Sequence, residues 1–248
     1  MNFICIYILI FLLVPINSLL GKTKTVHHVK KEIYKESFDQ DCGEWQAINN
    51  TLEHIKNGFL RGACQSNIRL TKDTAQWLDP NHLPQFNYIY LNFYISTGKL
   101  YEPSMKLKNF DFRNATIEFY IRGKDIELND SVLLFFFGTA KDYENHLKYK
   151  PRTAQSAYWA NIKNPLNKNL SDGEWHLVKF KLIPDIEFWK HAGYNPEQKY
   201  YNRYNYFPSI DYSLENVNMD ILFLLTNIDI KKPPKGSIQI DELKIYKD

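Results

Sequence analysis

The chain has 248 residues, and its 31 Lys or Arg and 28 Asp or Glu residues give a formal charge of only +3 at pH 7. Charges of both signs are interspersed over most of its length, which argues against a nucleic-acid-binding protein, because such proteins concentrate basic residues. Aromatic residues make up 15% of the sequence, and Gly and Pro separate short apolar runs. This composition favours an all-β domain over a helical one.

The N-terminus opens with an uncharged, mostly apolar run over residues 3–20. Small residues suitable for cleavage lie at Ser18 and Gly21, so the run predicts a secretory signal peptide over residues 1–21. No Lys or Arg precedes the run and the first positive charges follow it, so an uncleaved membrane anchor is the alternative. The sequence therefore predicts a secreted, extracellular protein that meets a membrane only if this segment is retained.

A Lys- and His-rich stretch, KTKTVHHVKK, follows as a basic leader over residues 22–31. Such a stretch can contact anionic lipid or nucleic acid, or it can simply be solvated. We interpret it as a solvated leader and expect no nucleic-acid partner.

Residues 32–248 contain no internal repeat and no Ser/Gly-rich linker, which predicts a single β-sandwich domain. Short β-favouring runs between turn signals predict strands at 33–38, 59–64, 88–96, 115–123, 131–140, 157–162, 175–183, 219–229 and 237–246. Helix signals are weak and short, at 185–193 and after Tyr212. The predicted fold is a two-sheet antiparallel jelly-roll sandwich with a few short decorating helices.

The apolar patterns of three runs predict where their strands lie. Ile117, Phe119 and Ile121 alternate with polar residues, as in a strand with one face in the core. The runs at 132–137 and 221–226 are apolar on both faces, which predicts central strands that are covered on both sides.

The last predicted strand changes its apolar face. Ile238 and Ile240 share one parity, whereas Leu243 and Ile245 have the other, so the pattern breaks around Asp241. Uninterrupted pairing would place the Asp241 carboxylate among apolar residues, where an unpaired charge is costly. The sequence predicts either a bulge that turns Asp241 outward or a positive partner beside it.

Cysteine usage fits export. Cys5 lies in the predicted signal peptide, which leaves Cys42 and Cys64 as an even pair in a chain that enters an oxidising compartment. We predict a disulfide between them, and two buried thiols are the alternative. Two cysteines are too few for a zinc site without suitably spaced histidines.

Asn-x-Ser/Thr sequons predict glycan acceptors if the secretory pathway is eukaryotic. In an Asn-rich chain such triplets also arise by chance. The four sequon residues are Asn49, Asn114, Asn129 and Asn169.

Several segments resemble, in order, the extracellular carbohydrate-binding-like β-jelly-roll domains of the galactose-binding-like and concanavalin-like type. The similar segments are ESFDQDCGEWQAIN with GFLRGAC, NFDFRNATIEFYIRGKDIEL with DSVLLFFFG, LSDGEWHLVKFKLI, and the C-terminal KGSIQIDELKIYKD. The resemblance implies a sandwich that binds glycan. It also implies a structural calcium ion held by Asp241 and Glu36, with Asp39 as a third donor. A carboxylate capped by backbone amides or by a Lys is the alternative.

Flat aromatic rings beside amides and Arg suit a sugar, because a ring stacks on the apolar face of a pyranose while polar groups bond its hydroxyls. A Tyr-rich run at 189–207 supplies these types without helical or strand periodicity, which predicts a long binding loop; packing as plain cover is the alternative. Trp45, Trp77 and Trp175 are predicted to be core residues. The predicted ligand-binding residues are Trp189, Tyr194, Tyr200, Tyr201, Arg203, Tyr204 and, from a second run, Trp159.

The function predicted from these features is a secreted, non-catalytic carbohydrate-binding or cell-surface recognition module whose partner is a glycan or cell-surface glycoprotein. One alternative is a secreted structural or adhesion protein that binds another protein. Another is a glycan-active enzyme, for which carboxylates are plentiful but no catalytic signature is present, so no catalytic residue is assigned.

Overall fold

The computed structural model describes residues 30–47, 52–56, 61–68, 110–140, 156–192, 208–219, 221–229 and 231–247. Within these ranges the chain forms ten strands and one α-helix. They are β1 (Lys31–Glu36), β2 (Leu52–Lys56), β3 (Gly62–Ile68), β4 (Thr116–Glu127), β5 (Val132–Ala140), β6 (Ser156–Asn161), β7 (His176–Lys181), β8 (Trp189–Ala192), α1 (Ile210–Glu215), β9 (Ile221–Thr226) and β10 (Lys235–Lys247). Short 3-10 helices at Asn167–Asn169 and Ile186–Phe188 precede β7 and β8.

The strands form two antiparallel sheets. A six-stranded sheet has the order β2-β3-β10-β4-β7, and β1 also pairs with β10; a four-stranded sheet has the order β8-β6-β5-β9. The chain passes between the sheets after β4, β6, β7 and β9. This arrangement confirms the predicted all-β, two-sheet antiparallel jelly-roll sandwich.

Aromatic rings fill the space between the sheets. Phe223 of β9 lies at the centre, with ring centroids 4.9 Å from Phe119, 5.8 Å from Phe135 and 6.0 Å from Trp45. All four side chains are buried. Such rings bury large apolar areas, so this cluster is a principal source of stability. The prediction that Trp45 belongs to the core is confirmed.

The parity break of the last strand is a β-bulge. Asp241 pairs with Tyr120 and Lys244 pairs with Glu118, so Glu242 and Leu243 lie opposite Phe119 alone. Glu242 has φ 48°, the left-handed conformation found at the first position of one bulge type. The bulge keeps Leu243 in the core and leaves Asp241 on the outer face of the sheet, as one of the two predicted outcomes requires.

The outer face of the four-stranded sheet is apolar and buried. Its members, which we call the outer cluster, are Leu134, Phe136, Ala160, Leu222 and Leu224. The prediction that β5 and β9 are covered on both faces is therefore confirmed. Within the described residues β5 lies between β6 and β9, and β9 pairs only with β5, so a central position of β9 stays a prediction.

The local predictions differ from the structure mainly at β2 and β8. Residues 52–56 had no predicted strand, and 185–193 was predicted as a helical turn but forms the 3-10 helix and then β8. Trp189 pairs with Asn161 across the sheet, so tertiary pairing overrides the local pattern there. Lys31, the last residue of the predicted basic leader, is the first residue of β1. The predicted strand at 88–96 lies outside the described residues.

The predicted disulfide is present. Cys42 and Cys64 are bonded across 22 positions of sequence, with their Cα atoms 5.6 Å apart. Cys64 is fully buried in β3, so the bond attaches the loop after β1 to the middle of the six-stranded sheet. No helix among the described residues is long and apolar enough to cross a membrane.

Three of the four sequons lie in the described residues, and they differ in how their side chains are used. Asn114 is exposed. Asn129 is exposed, but its Nδ2 donates to the carbonyl oxygens of Lys232 and Pro233 at 3.0 and 3.2 Å. Asn169 is half-buried in a 3-10 helix. Glycosylation stays a prediction at all four positions.

Candidate functional site

The candidate site is the outer face of the six-stranded sheet, where many polar side chains of the described residues lie together. Ile121, Cys64 and Ile240 lie in the core, so the residues that alternate with them point away from it. Strand register arranges these outward residues in four rows that cross the sheet. Row one is Gln65, Gln239, Arg122 and Trp175; row two is Asp241, Tyr120 and Leu177; row three is Lys35, Lys244, Glu118 and Lys179; row four is Glu32, Tyr246, Thr116 and Lys181.

Row one is a continuous hydrogen-bonded chain across three strands. Nε and Nη2 of Arg122 both donate to Oε1 of Gln239, the former at 2.9 Å. Nε2 of Gln239 then donates to Oε1 of Gln65 at 2.6 Å, and Nε2 of Gln65 donates to Oδ1 of Asn67 at 3.3 Å. Each amide therefore has a fixed orientation, and the buried Gln239 is satisfied at both ends of its side chain.

The guanidinium of Arg122 is held on two sides. Its Cζ lies 5.0 Å from the centre of the Trp175 ring, within the range of a cation–π contact, while Gln239 accepts two of its N–H groups. Both Arg122 and Trp175 are half-buried, so the prediction that Trp175 belongs to the core is wrong. Among the described residues Nη1 of Arg122 makes no hydrogen bond, so its donors are positioned and unused.

Row two places an acidic group beside an aromatic ring. Asp241 is fully buried, and its Oδ1 accepts the Glu242 N–H at 2.8 Å. Tyr120 is the register partner of Asp241, and Leu177, 51% exposed, lies on the far side of Tyr120. Row two therefore sets a buried carboxylate beside a half-buried phenol on this face.

Rows three and four form a basic end of this face. Lys35 lies directly opposite Lys244, and the exposed Lys179 and Lys181 lie outward on β7. Glu118 partly balances them, since its Oε2 accepts the Tyr246 hydroxyl at 3.0 Å and lies 3.3 Å from Nζ of Lys179. The Tyr246 hydroxyl and the Glu118 carboxylate beside it raise the pKa of the Lys179 ammonium.

Two of the predicted sugar-binding residues belong to the core. Trp189 is 3% exposed, packs edge-on against Phe137 and donates its Nε1–H to the Ile183 carbonyl at 2.8 Å. Trp159 is 6% exposed and donates its Nε1–H to the Ser213 hydroxyl at 3.0 Å. Neither ring is an exposed platform, because strand parity turns both inward. This corrects the prediction for these two residues.

The rest of the predicted loop site lies outside the described residues. This applies to Tyr194, Tyr200, Tyr201, Arg203 and Tyr204, as well as to Trp77. Their role in binding stays a prediction.

The three predicted calcium ligands do not come together. Asp241 points to the outer face, whereas Glu36 pairs with the core residue Leu243 and accepts the Phe38 N–H at 3.4 Å. No group of three or more His, Cys, Asp or Glu side chains in the described ranges is arranged to hold a metal ion. Calcium binding itself stays a prediction, and the geometry of these three side chains does not support it.

Row one could not be predicted from the sequence, because its members are far apart along the chain. Arg122 and Gln239 are 117 residues apart, and Gln239 and Gln65 are 174 apart. The available signal was parity, because Arg122 alternates with Ile121 and Gln239 lies between Ile238 and Ile240. Parity identifies outward residues but not their cross-strand partners.

Comparisons with known proteins identify similar structures but no family. No family model matches the chain, and no curated protein matches it. Similar solved structures include CtCBM11, studied in solution for its dynamics and binding, with 10% identity, a TM-score of 0.47 and coverage of 90% of this chain and 98% of that one. The family 30 carbohydrate-binding module of a Clostridium thermocellum cellulosomal cellulase has 10% identity, a TM-score of 0.38 and coverages of 88% and 92%. An exo-beta-agarase has 11% identity, a TM-score of 0.43 and coverages of 88% and 25%.

Proposed function

We propose that this protein is a secreted, non-catalytic carbohydrate-binding or cell-surface recognition module that binds glycan on the outer face of its six-stranded sheet. The main observation is row one, in which one hydrogen-bonded chain fixes two glutamine amides and the guanidinium of Arg122, which lies over the indole ring of Trp175. The proposal rests on the residues of this chain and not on the names of its structural neighbours.

The chemistry of the face suits a polyhydroxylated ligand. Directional donors and acceptors that are already oriented lose little entropy on binding, so each hydrogen bond to a hydroxyl contributes more of its energy. Arg122 lies two residues from Tyr120 on β4, about 7 Å along the strand. Two neighbouring rows can therefore contact adjacent sugar residues.

The same face is poorly suited to an apolar protein partner. Protein docking sites are typically contiguous apolar patches of several hundred Å². Of the large hydrophobic side chains that are exposed in the described ranges, only Leu177 lies on this face; Ile162, Ile186 and Tyr212 lie elsewhere. This observation favours a glycan over the adhesion alternative.

Secretion is supported by the predicted signal peptide and by the disulfide. A Cys42–Cys64 bond forms and persists in oxidising compartments, including the extracellular space. The proposed site of action is therefore outside the cell.

The test is a glycan array of neutral and acidic sugars, probed with the mature chain in the presence and absence of calcium, followed by calorimetry on the best ligand. Arg122→Met keeps much of the apolar stem and removes the donors, so we expect at least a tenfold loss of affinity, since hydrogen bonds to a charged group contribute about 1.5–3 kcal/mol. Arg113→Met, at an exposed ion-pair cluster near α1, is the matched control and should bind normally.

Arg122→Met also removes the partner of the buried Gln239, so its melting temperature is measured in parallel. Arg122→Lys provides a second variant that keeps the charge and loses the planar fork. Equal affinity of both Arg122 variants and the native chain would reject this face as the site. Absence of binding to every glycan would reject the function.

A further inference from the structure

The basic end of the outer face indicates which class of glycan it binds. Lys35 and Lys244 are register partners, and Lys179 lies in the same row, two strands from Lys244. Four adjacent strands at about 4.8 Å make this row about 14 Å wide. Lys181 lies one row further along β7, about 7 Å from Lys179.

Three acidic groups lie on or beside the same rows, and two of them pair with lysines of row three. Glu118 is the acid of row three and Glu32 that of row four, and Glu242 lies at the bulge 2.7 Å from Nζ of Lys244. Glu118 is shared between Lys179 and the Tyr246 hydroxyl. Lys35 is exposed and makes no ion pair within the described part of the chain.

A further cation lies over the row-four ring. Nζ of Lys30 is 4.2 Å from the centre of the Tyr246 ring, and Nζ of Lys179 is 5.6 Å from it. Tyr246 is 5% exposed, and its ring makes cation–π contacts with the ammonium groups of both lysines. Arg122 lies four residues from Glu118 on β4, about 13 Å along the strand, and adds a guanidinium to this face.

We propose that the ligand is an acidic glycan, one that carries carboxylate or sulfate groups at more than one sugar, with Arg122 binding one anionic group and the lysines of rows three and four another. This inference rests on the proposed function, because it specifies the ligand of the same face. A guanidinium that is held on two sides, and whose Nη1 makes no hydrogen bond to the described residues, matches the geometry of a carboxylate or sulfate. The ammonium groups add attraction that depends on ionic strength.

Matched pairs of probes test the ligand class. Polygalacturonate is compared with its carboxyl-reduced product, and heparin with its chemically desulfated form, by calorimetry at low and at physiological salt. We expect each acidic member to bind at least tenfold more tightly than its neutral counterpart, and this preference to shrink as salt increases.

Charge-matched variants locate the binding. Lys35→Gln with Lys179→Gln removes two cations from this face, and Lys168→Gln with Lys190→Gln removes two exposed cations from other surfaces. An exposed ion pair contributes at most about fivefold in affinity, so the first pair should lose about three- to tenfold for the acidic probe. The second pair should bind like the native chain at equal net charge.

The outcomes separate this inference from the proposed function. Tight binding of neutral glycans with no acidic preference, or equal losses in both double variants, would overturn the acidic-ligand inference and leave glycan binding intact. Failure to bind any glycan would overturn both. Equally tight binding to vesicles of phosphatidylserine and phosphatidylcholine or to duplex DNA, with the same dependence on Lys35 and Lys179, would identify a general polyanion surface and reject a glycan-specific ligand.

Discussion

At the scale of single residues, the bulge in β10 decides which side chains face the ligand. Asp241 and Lys244 both point outward, although they are an odd number of residues apart, because Glu242 adds an extra residue opposite Phe119. Without it, either Asp241 would enter the core or Leu243 and Ile245 would leave it. A single backbone irregularity therefore serves both the core and the outer face.

Glu242 carries the conformational cost of this bulge. A non-glycine residue in the left-handed region is disfavoured by about 1–2 kcal/mol, and the Glu242–Lys244 ion pair offsets part of that cost. We expect Glu242→Gly to unfold at a melting temperature several degrees above that of Glu242→Ala, since both lose the ion pair and only Gly relieves the backbone. Equal melting temperatures by calorimetry would show that the bulge carries no strain.

His191 makes stability depend on pH. The imidazole of His191 packs edge-on against the Trp159 ring, with ring centroids 5.1 Å apart. Burial lowers the pKa of this imidazole to about 4. Between pH 6.5 and 4 the unfolded chain binds a proton at this residue and the folded chain does not, so stability decreases as pH falls, by at most about 1.4 kcal/mol per pH unit.

The measurement is chemical unfolding at pH 7, 6, 5 and 4 for the native chain and for His191→Leu. The variant should lose less stability over this range than the native chain, because its unfolded state has one fewer proton to take up. Identical pH dependence in the two proteins would rule out His191 as a source of the effect.

At the scale of elements, periodicity predicted the strands that have one clear core face. The alternation of Ile117, Phe119 and Ile121 identified β4, and the apolar runs at 132–137 and 221–226 identified β5 and β9. β2 and β8 were missed because LEHIK and WKHA are short and mixed, and their strand state depends on pairing with β3 and β6.

The disulfide joins the loop after β1 to β3, and the effect of its removal on stability should be measurable. A bond that closes a loop of this length stabilises a domain by about 3 kcal/mol, mainly through the unfolded chain. We expect Cys42→Ala with Cys64→Ala to lower the free energy of unfolding by about that amount. Added reductant should lower the free energy of unfolding of the native chain by a similar amount and leave that of the double variant unchanged. If thiol titration shows that the native disulfide is reduced and the free energy of unfolding is unchanged, the prediction is wrong.

At the scale of the whole molecule, the sequence was sufficient to predict the two-sheet fold but not the arrangement of the candidate site. Turn signals and apolar runs act locally, so the sequence alone supports two packed antiparallel sheets. Row one instead requires the register of β3, β10, β4 and β7, which tertiary structure determines. Trp159 and Trp189 illustrate the difference, since sequence identified their chemistry correctly and placed them on the wrong face.

The central claim is that the outer face of the six-stranded sheet binds glycan through the fixed guanidinium of Arg122. The most direct measurement is calorimetric titration of the best array ligand into the native chain, Arg122→Met and the control Arg113→Met. We expect only Arg122→Met to lose at least tenfold in affinity, while it remains folded at the assay temperature. Native affinity in a folded Arg122→Met would contradict it.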